Sequence, residues 1–340
     1  MSDQRSQGWN RRAFLKRATL AGTAALLELH RDSLAAEAPP ETIKLRLAYH
    51  SRSLCHAPLY AAEDSLRGEG FTDVQYVKTT GVERALAAGE VDVVTHFCGP
   101  LVIQLDKGDP IVVLAGLHPG CVELVGTDRI RTVRDFKGKT VAITDLGGGR
   151  HAFLAVMVAQ VGLDPRKDIQ VVAHSPAEAM RLLAERKIDG FLAAPPDSQE
   201  MRAKRIGHVV VNSMMDRPWS QYFCCMVALN QQFSRKHPVA TKRALRAILK
   251  ATDVSAREPE RIARFLVQKG YTEKYDQALQ AMKEMQMAYA QWREYDPEDT
   301  LRFYALIMHE IGMIKSSPQK IISQGTDWRF LRELKKELKN

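Results

Sequence analysis

The chain has 340 residues, 45% of them hydrophobic and 26% charged, with a formal net charge of +9. This balance excludes a disordered chain, and the length suffices for two lobes with separate cores, because single cores stop growing near ~250 to 300 residues. The basic excess lies on helix faces such as 242–250 and 332–339 rather than in a block interleaved with aromatics, which excludes a nucleic-acid surface and leaves a solvated one favouring anionic solutes.

In chain order, the first element is an address. Arg11-Arg12-Ala13-Phe14-Leu15-Lys16 reads as a twin-arginine export motif, residues 18–29 form a short apolar run, and Ser33-Leu34-Ala35 offers small residues for cleavage after Ala35. Residues 1–35 are therefore expected to be a signal peptide that is removed, sending the folded chain to the periplasm. The apolar run is too short for an anchor, which needs about 20 residues, and no later segment reaches that length without charges.

Residues 42–49 place Ile43, Leu45, Leu47 and Tyr49 at a period of two, the mark of a strand. A polar loop, 51–56, leads into a helix at 57–62 with Pro58 in its first turn, where a missing N–H costs least. A strand at 74–77, the turn Thr79-Thr80-Gly81 and a helix through Ala88 follow, then a strand at 91–94 that ends in His96-Phe97-Cys98-Gly99-Pro100, and another at 111–115. The pattern then repeats: strand 140–143, the turn Gly147-Gly148-Gly149, helix 150–161, strand 169–173, helix 176–186 and strands at 190–193 and 209–211. Two open sheets with helices on both faces are implied. From Pro238 onward, apolar residues recur at spacings of three and four in 240–254, 262–267, 275–289 and 301–311. No flexible linker precedes these helices, so they are expected to pack on the lobes.

Several phrases, in this order, resemble one family. They are Ala57-Pro58-Leu59-Tyr60-Ala61-Ala62 before Gly68 and Gly70; the stretch 85–93, in which a helix ends at Gly89 and a strand opens with Val91-Asp92-Val93; Phe136-Lys137-Gly138-Lys139-Thr140-Val141-Ala142; and, near the end, Ile311-Gly312-Met313-Ile314-Lys315 and Thr326-Asp327-Trp328-Arg329-Phe330-Leu331. Over about residues 42–338 the chain is similar to the periplasmic solute-binding proteins of ABC importers for nitrate, taurine, aliphatic sulfonates and thiamine precursors. The resemblance implies an α/β, two-lobed periplasmic binding protein fold of type II, each lobe an open mixed sheet flanked by helices, with a helical C-terminal extension. It divides the chain into lobe 1 (42–124 and 226–340) and lobe 2 (125–225). It further implies a monomer that captures a small anionic or aromatic solute and delivers it to an ABC permease and its ATPase, with membrane contact only through the permease.

In open α/β sheets ligands bind outside the carboxyl ends of the strands. Applied here, that rule brings Arg52, Ser53, Cys55, His56, Thr80, His96, Phe97 and Cys98 from the first lobe to the cleft, and Gly148, Gly149, Arg150, His151, Trp219 and Tyr222 from the second. The glycine turn either captures an anion with free backbone N–H groups or is a plain helix entry. It matches neither a Walker motif nor a G-x-G-x-x-G fingerprint. Arg52 and Arg150 either fork onto a carboxylate, sulfonate or phosphate or stay solvated, and Trp219 and Tyr222 either stack on a flat solute or serve the core.

Five cysteines, Cys55, Cys98, Cys121, Cys224 and Cys225, give an odd count that forbids complete internal pairing. Three readings stay open: buried free thiols, a disulfide, or a soft-metal or thiol-reactive site in which Cys55, Cys98 and Cys224 converge with His50, His56, His96 and His118. No C-x-x-C spacing supports a structural metal, and neither metal nor cofactor is expected. Phe223-Cys224-Cys225-Met226 partly resembles the cysteine motif of the thiamine-pyrimidine synthases. Those enzymes consume a histidine and a pyridoxal-phosphate lysine after the third strand, where 92–100 holds no lysine. Without that amine no Schiff base forms there. With no G-x-S-x-G or H-E-x-x-H either, the expectation is a binding protein, not an enzyme. A synthase-like or soft-metal-binding protein is the alternative.

Overall fold

Two five-stranded sheets organise the chain from Pro40 onward, and they are built to the same plan. The computed structural model describes residues 37–49, 53–79 and 81–339. The expected signal peptide lies outside these residues, as do His50, Arg52 and Thr80. Residues Met1–Pro39 and Pro40–Asn340 cluster as separate units, and the described strands and helices all belong to the second.

The first sheet has the order β2-β1-β3-β10-β4, from β1 (Lys44–Tyr49), β2 (Asp73–Lys78), β3 (Val93–Phe97), β4 (Ile111–Pro119) and β10 (Phe223–Asn230). The second has the order β7-β6-β8-β5-β9, from β5 (Glu123–Gly126), β6 (Lys139–Ile143), β7 (Ile169–Ala173), β8 (Gly190–Ala193) and β9 (His208–Asn212). β1 runs parallel to β2 and β3, and β6 parallel to β7 and β8. In each sheet the fourth place is taken by the strand that has just crossed from the other sheet, β10 in the first and β5 in the second, antiparallel to both neighbours. Such mixed sheets with helical connections bury both faces, which is why β3, β4, β8 and β10 are buried along their whole length.

The helices of the first half are α1 (Ala57–Tyr60), α2 (Glu63–Gly68), α3 (Val82–Ala87) and α4 (Cys98–Lys107). Those of the second are α5 (Gly149–Gln160), α6 (Pro176–Ala184) and α7 (Asp197–Ala203). The C-terminal series runs through α8 (Gln231–Lys236), α9 (Pro238–Arg257), α10 (Pro259–Gln268), α11 (Tyr275–Ala290), α12 (Pro297–Glu310), α13 (Pro318–Gly325) and α14 (Arg329–Glu337). Local chemistry sets their starts. Ser175 accepts a hydrogen bond from the Glu178 N–H with Pro176 in the first turn of α6, and Asp296 and Ser317 cap α12 and α13 in the same way. α9 buries Ala240, Ala244, Leu245, Ile248, Leu249 and Ala251, a stripe that seats it on the first half. The main apolar core runs through the first sheet and these helices into α5, while Val125, Ala142, Ala179, Met180, Leu183 and Phe191 form a smaller core behind the second sheet.

Five elements depart from the sequence reading. Residues 98–100 do not end the third strand: α4 begins at Cys98, and Pro100 fits because the first turn of a helix makes no backward N–H bond. β10 and β5 are strands buried along their whole length that carry no alternation, and α7 starts directly after Pro195-Pro196. The helix expected at 57–62 stops at Tyr60 and restarts at Glu63.

Candidate functional site

A cavity of about 430 Å³ opens where all six parallel strands end. The first sheet supplies Ser53 and His56 after β1, Lys78, Thr79 and Glu83 around the end of β2, and His96 and Phe97 at the end of β3. The second supplies Thr144, Asp145 and the Gly148-Gly149-Arg150 turn after β6, Pro176 after β7, and Asp197 after β8. This is the position that strand-end geometry assigns to a ligand, with loops and a helix N-terminus converging from two sides. A larger cavity of about 730 Å³ lies between residues 214–222 and 291–299. It gathers none of the six strand ends, and the smaller cavity is the better site.

The two sides approach closely. A Cβ on Gly149 would stand 2.6 Å from the Phe97 ring, so only glycine lets the start of α5 come this near β3. Gly99 of α4 meets Ala152 of α5 in the same way, its Cβ position 2.9 Å from that of Ala152. Leu54 N–H reaches the Pro195 carbonyl at 3.4 Å across the same gap.

Charge on the walls is mixed. His96 Nε2 lies 3.3 Å from Glu83 Oε2, and the imidazole beside it holds the Glu83 carboxyl down at about 2 despite burial. His56 is buried, with Nδ1 2.7 Å from Thr95 Oγ1. Opposite, Arg150 Nη1 donates to Thr144 Oγ1 at 2.8 Å, and that hydroxyl donates to Asp145 Oδ1 at 2.8 Å. The relay holds the guanidinium in the cavity wall. Asp145 also crowds the helix entry, since a Cβ on Gly148 would fall on its carboxylate. The positive end of α5 is thus already faced by an acid, and an anionic solute group must share it.

Of the expected site residues, Ser53, His56, His96, Phe97, Gly148, Gly149 and Arg150 line this cavity. Arg52 and Thr80 lie outside the described residues. The rest sit elsewhere. His151 Nδ1 accepts the Gly147 N–H at 2.9 Å, closing the turn, and burial lowers its pKa, which suits the neutral acceptor. Trp219 packs against Phe153 and Phe303, and Tyr222 stacks on Phe303 at 4.0 Å. Neither ring lines this cavity: both pack on Phe303 of α12, and Tyr222 borders the larger cavity instead. The sequence reading overlooked Lys78, Glu83, Thr144, Asp145, Pro176 and Asp197 as cavity residues. Lys78 ends a strand, Thr144 and Asp145 directly follow one, and Glu83, Pro176 and Asp197 stand three to five residues on, in the first turn of the next helix, so extending the strand-end rule to that turn finds them.

All five cysteines are free and buried. Cys98, at the start of α4, is a thiol that burial pushes up and out of reach of deprotonation. Ser53 Oγ lies 3.3 Å from Cys55 Sγ, so Cys55 sits just under the cavity floor. The open reading in which Cys55, Cys98 and Cys224 converge with the cleft histidines is not what the structure holds: Cys55 gathers with His118, Cys121 and Cys225 beneath the cavity, and His56 and His96 stay in its wall.

The model of the NMT1-like family matches residues 38–265. Among solved structures, the periplasmic nitrate-binding protein NrtA from Synechocystis PCC 6803 is similar with a TM-score of 0.73 at 16% identity, covering 88% of this chain and 90% of that one. The alkanesulfonate-binding protein SsuA from Xanthomonas axonopodis pv. citri, bound to MOPS, gives 0.65 at 17% identity over 86% and 100%. A Candida albicans protein described as having the generic periplasmic binding protein structural fold gives 0.64 at 13% identity over 84% and 96%. Among curated proteins none matches the chain. These likenesses show the fold, the two-lobed periplasmic binding protein architecture.

Proposed function

The chain belongs to the NMT1-like family, and we propose that it is the solute-binding component of an ABC importer, a two-lobed clamp that closes in the periplasm on one small organic solute. The observation that supports this reading most is the convergence of six strand ends from two sheets on one cavity. In it, residues 42–124 with 226–340 form one jaw and 125–225 the other. Closure follows from contacts that the solute makes only when both jaws reach it, so the population shift equals its differential affinity for the closed form.

The wall chemistry selects the solute class. Arg150 and Lys78 suit an acidic group such as a carboxylate or sulfonate, Glu83, Asp145 and Asp197 suit a donor or amine, and Phe97 supplies an apolar face. The nitrate and alkanesulfonate named for the two structural neighbours favour the anionic part of this reading. On this reading the chain binds its solute and does no bond-making on it; its cleft imidazoles pair with Thr95 and Glu83, and its thiols lie below. Export by the twin-arginine route, action as a monomer, and handover to a membrane permease with its ATPase complete the cycle.

A thermal-shift screen across nitrate, sulfonates, aromatic acids, pyrimidines and amino-sulfonates tests the proposal. A true solute at a hundredfold excess over Kd adds about 2.7 kcal/mol of stability. The shift should vanish in Arg150→Ala and persist in Trp219→Phe. Flat responses throughout, or turnover of any compound in the set, would overturn it.

A further inference from the structure

Beneath the cavity the chain crosses twice between the sheets, with one thiol in the outward crossing and another just after the return. Cys121 stands in the outward crossing between β4 and β5, and Cys225 stands at the start of β10 after the return. Cys55 comes from the turn after β1 that floors the cavity, and His118 from the end of β4. One ligand atom from each of these four side chains lies within 4.8 Å of the others, and all four residues are buried.

The imidazole is oriented for the role. His118 Nδ1 lies 3.2 Å from the Pro119 carbonyl oxygen and 3.3 Å from that of Gly120. Both partners only accept, so Nδ1 carries the proton and Nε2 holds the lone pair. Nε2 is buried and, among the described residues, has no hydrogen-bond partner of good geometry, a costly state for a polar atom unless something fills it. A backbone carbonyl fixing the far nitrogen is the usual outer support of a metal-ligating histidine.

We propose that Cys55, His118, Cys121 and Cys225 bind one closed-shell soft metal ion, Zn²⁺ or Cu(I). Three thiols and one imidazole make the closed tetrahedral set of a structural zinc site, in which ligand atoms stand about 3.8 Å apart for metal–sulfur bonds of about 2.3 Å. Small inward shifts close the set. Zn²⁺ displaces the three thiol protons to solvent as the three metal–sulfur bonds form. The ion ties both crossing segments to the cavity floor, so it fixes the geometry of the hinge. Cys224 marks the rival fate, its Sγ 3.2 Å from that of Cys121, since oxidation of that pair would remove Cys121 from the set.

The full chain, purified under reductant without chelator, is assayed by elemental analysis, then stripped and titrated with Zn²⁺, Cu(I) and the spectroscopic substitute Co²⁺. Expected are one ion per chain, Co²⁺ absorption typical of tetrahedral thiolate ligation, and a higher melting temperature on reloading. Cys225→Ser and His118→Gln should weaken the ion at least about tenfold, and Cys98→Ser, outside the set, should leave it unchanged. If either ligand variant fails to fold, the Co²⁺ spectrum of the wild-type chain decides. Five freely titrating thiols with no bound ion, a Cys121–Cys224 disulfide in the purified chain, or equal damage from Cys98→Ser would overturn the proposal.

Discussion

At Gly149 a single hydrogen in place of a methyl group decides how near the two sides of the cleft come. Alanine there places its Cβ 2.6 Å from the Phe97 ring, and overpacking of this kind costs about 1 to 3 kcal/mol. Helix propensity alone would favour alanine by about 1 kcal/mol, so a net fall in melting temperature of Gly149→Ala isolates the clash. Phe97→Leu should recover part of it; wild-type melting of Gly149→Ala would mean that the sides do not meet there. Glu83 offers a second residue-level test. Its carboxyl is held at about 2 against an ordinary 4.5 by His96, so its stabilising contribution is complete above pH about 4.5 and is lost as pH falls through about 2. Glu83→Gln should therefore lose less stability than the wild type across that window in acid titrations followed by circular dichroism. Parallel curves would show that the pair contributes nothing.

Among the elements, α7 ties the second sheet to the C-terminal helices by charge, as α5 does by apolar packing of Phe153 on Tyr304. Its Arg202 pairs with Glu123 of β5 and, at 2.6 Å, with Glu284 of α11, which also accepts from Gln199 at 2.6 Å. Burial pushes the Glu123 carboxyl up against the pull of Arg202. Arg202→Ala should destabilise the chain by about 1 to 3 kcal/mol at neutral pH. The deficit should shrink in mild acid, where Glu123 takes up a proton in the folded state and no longer needs its partner. A deficit independent of pH, measured by denaturant unfolding, would contradict this account. The sequence disclosed most elements through periodicity: β1, β6, β7, α5, α6 and the long C-terminal helices all announce themselves. β5 and β10 did not, because a strand buried on both faces has no alternation to read, and α7 did not, because its seven residues show no clear stripe. Half the site was legible for the same reason. Residues on loops after recognised strands, such as His56 and Arg150, were found, whereas the packing role of Trp219 depends on Phe303, some eighty residues away, which no local pattern encodes.

For the whole molecule, the repeated sheet plan supplies the two α/β halves of the proposed clamp. Each half lends the other the strand that has just crossed over, so the two crossings sit side by side at the base while the strand ends face one cavity. Ser213 fixes the outward crossing: its hydroxyl accepts from the N–H groups of Cys121 and Val122 at 3.0 and 2.9 Å and donates to the Val122 carbonyl at 2.8 Å. Gly120 makes room for it, with φ +38° and the Ser213 backbone where a Cβ would be. The crossing is thus pinned by hydrogen bonds while the mouths are polar and mixed in charge, an arrangement that suits the proposed closure of two bodies. Hydrogen–deuterium exchange with and without the solute that gives the largest thermal shift tests the clamp most directly. The account predicts simultaneous protection of the strand-end segments on both sheets, 53–56, 79–83 and 96–97 on one and 144–150 with 197 on the other. Protection confined to one sheet would contradict it.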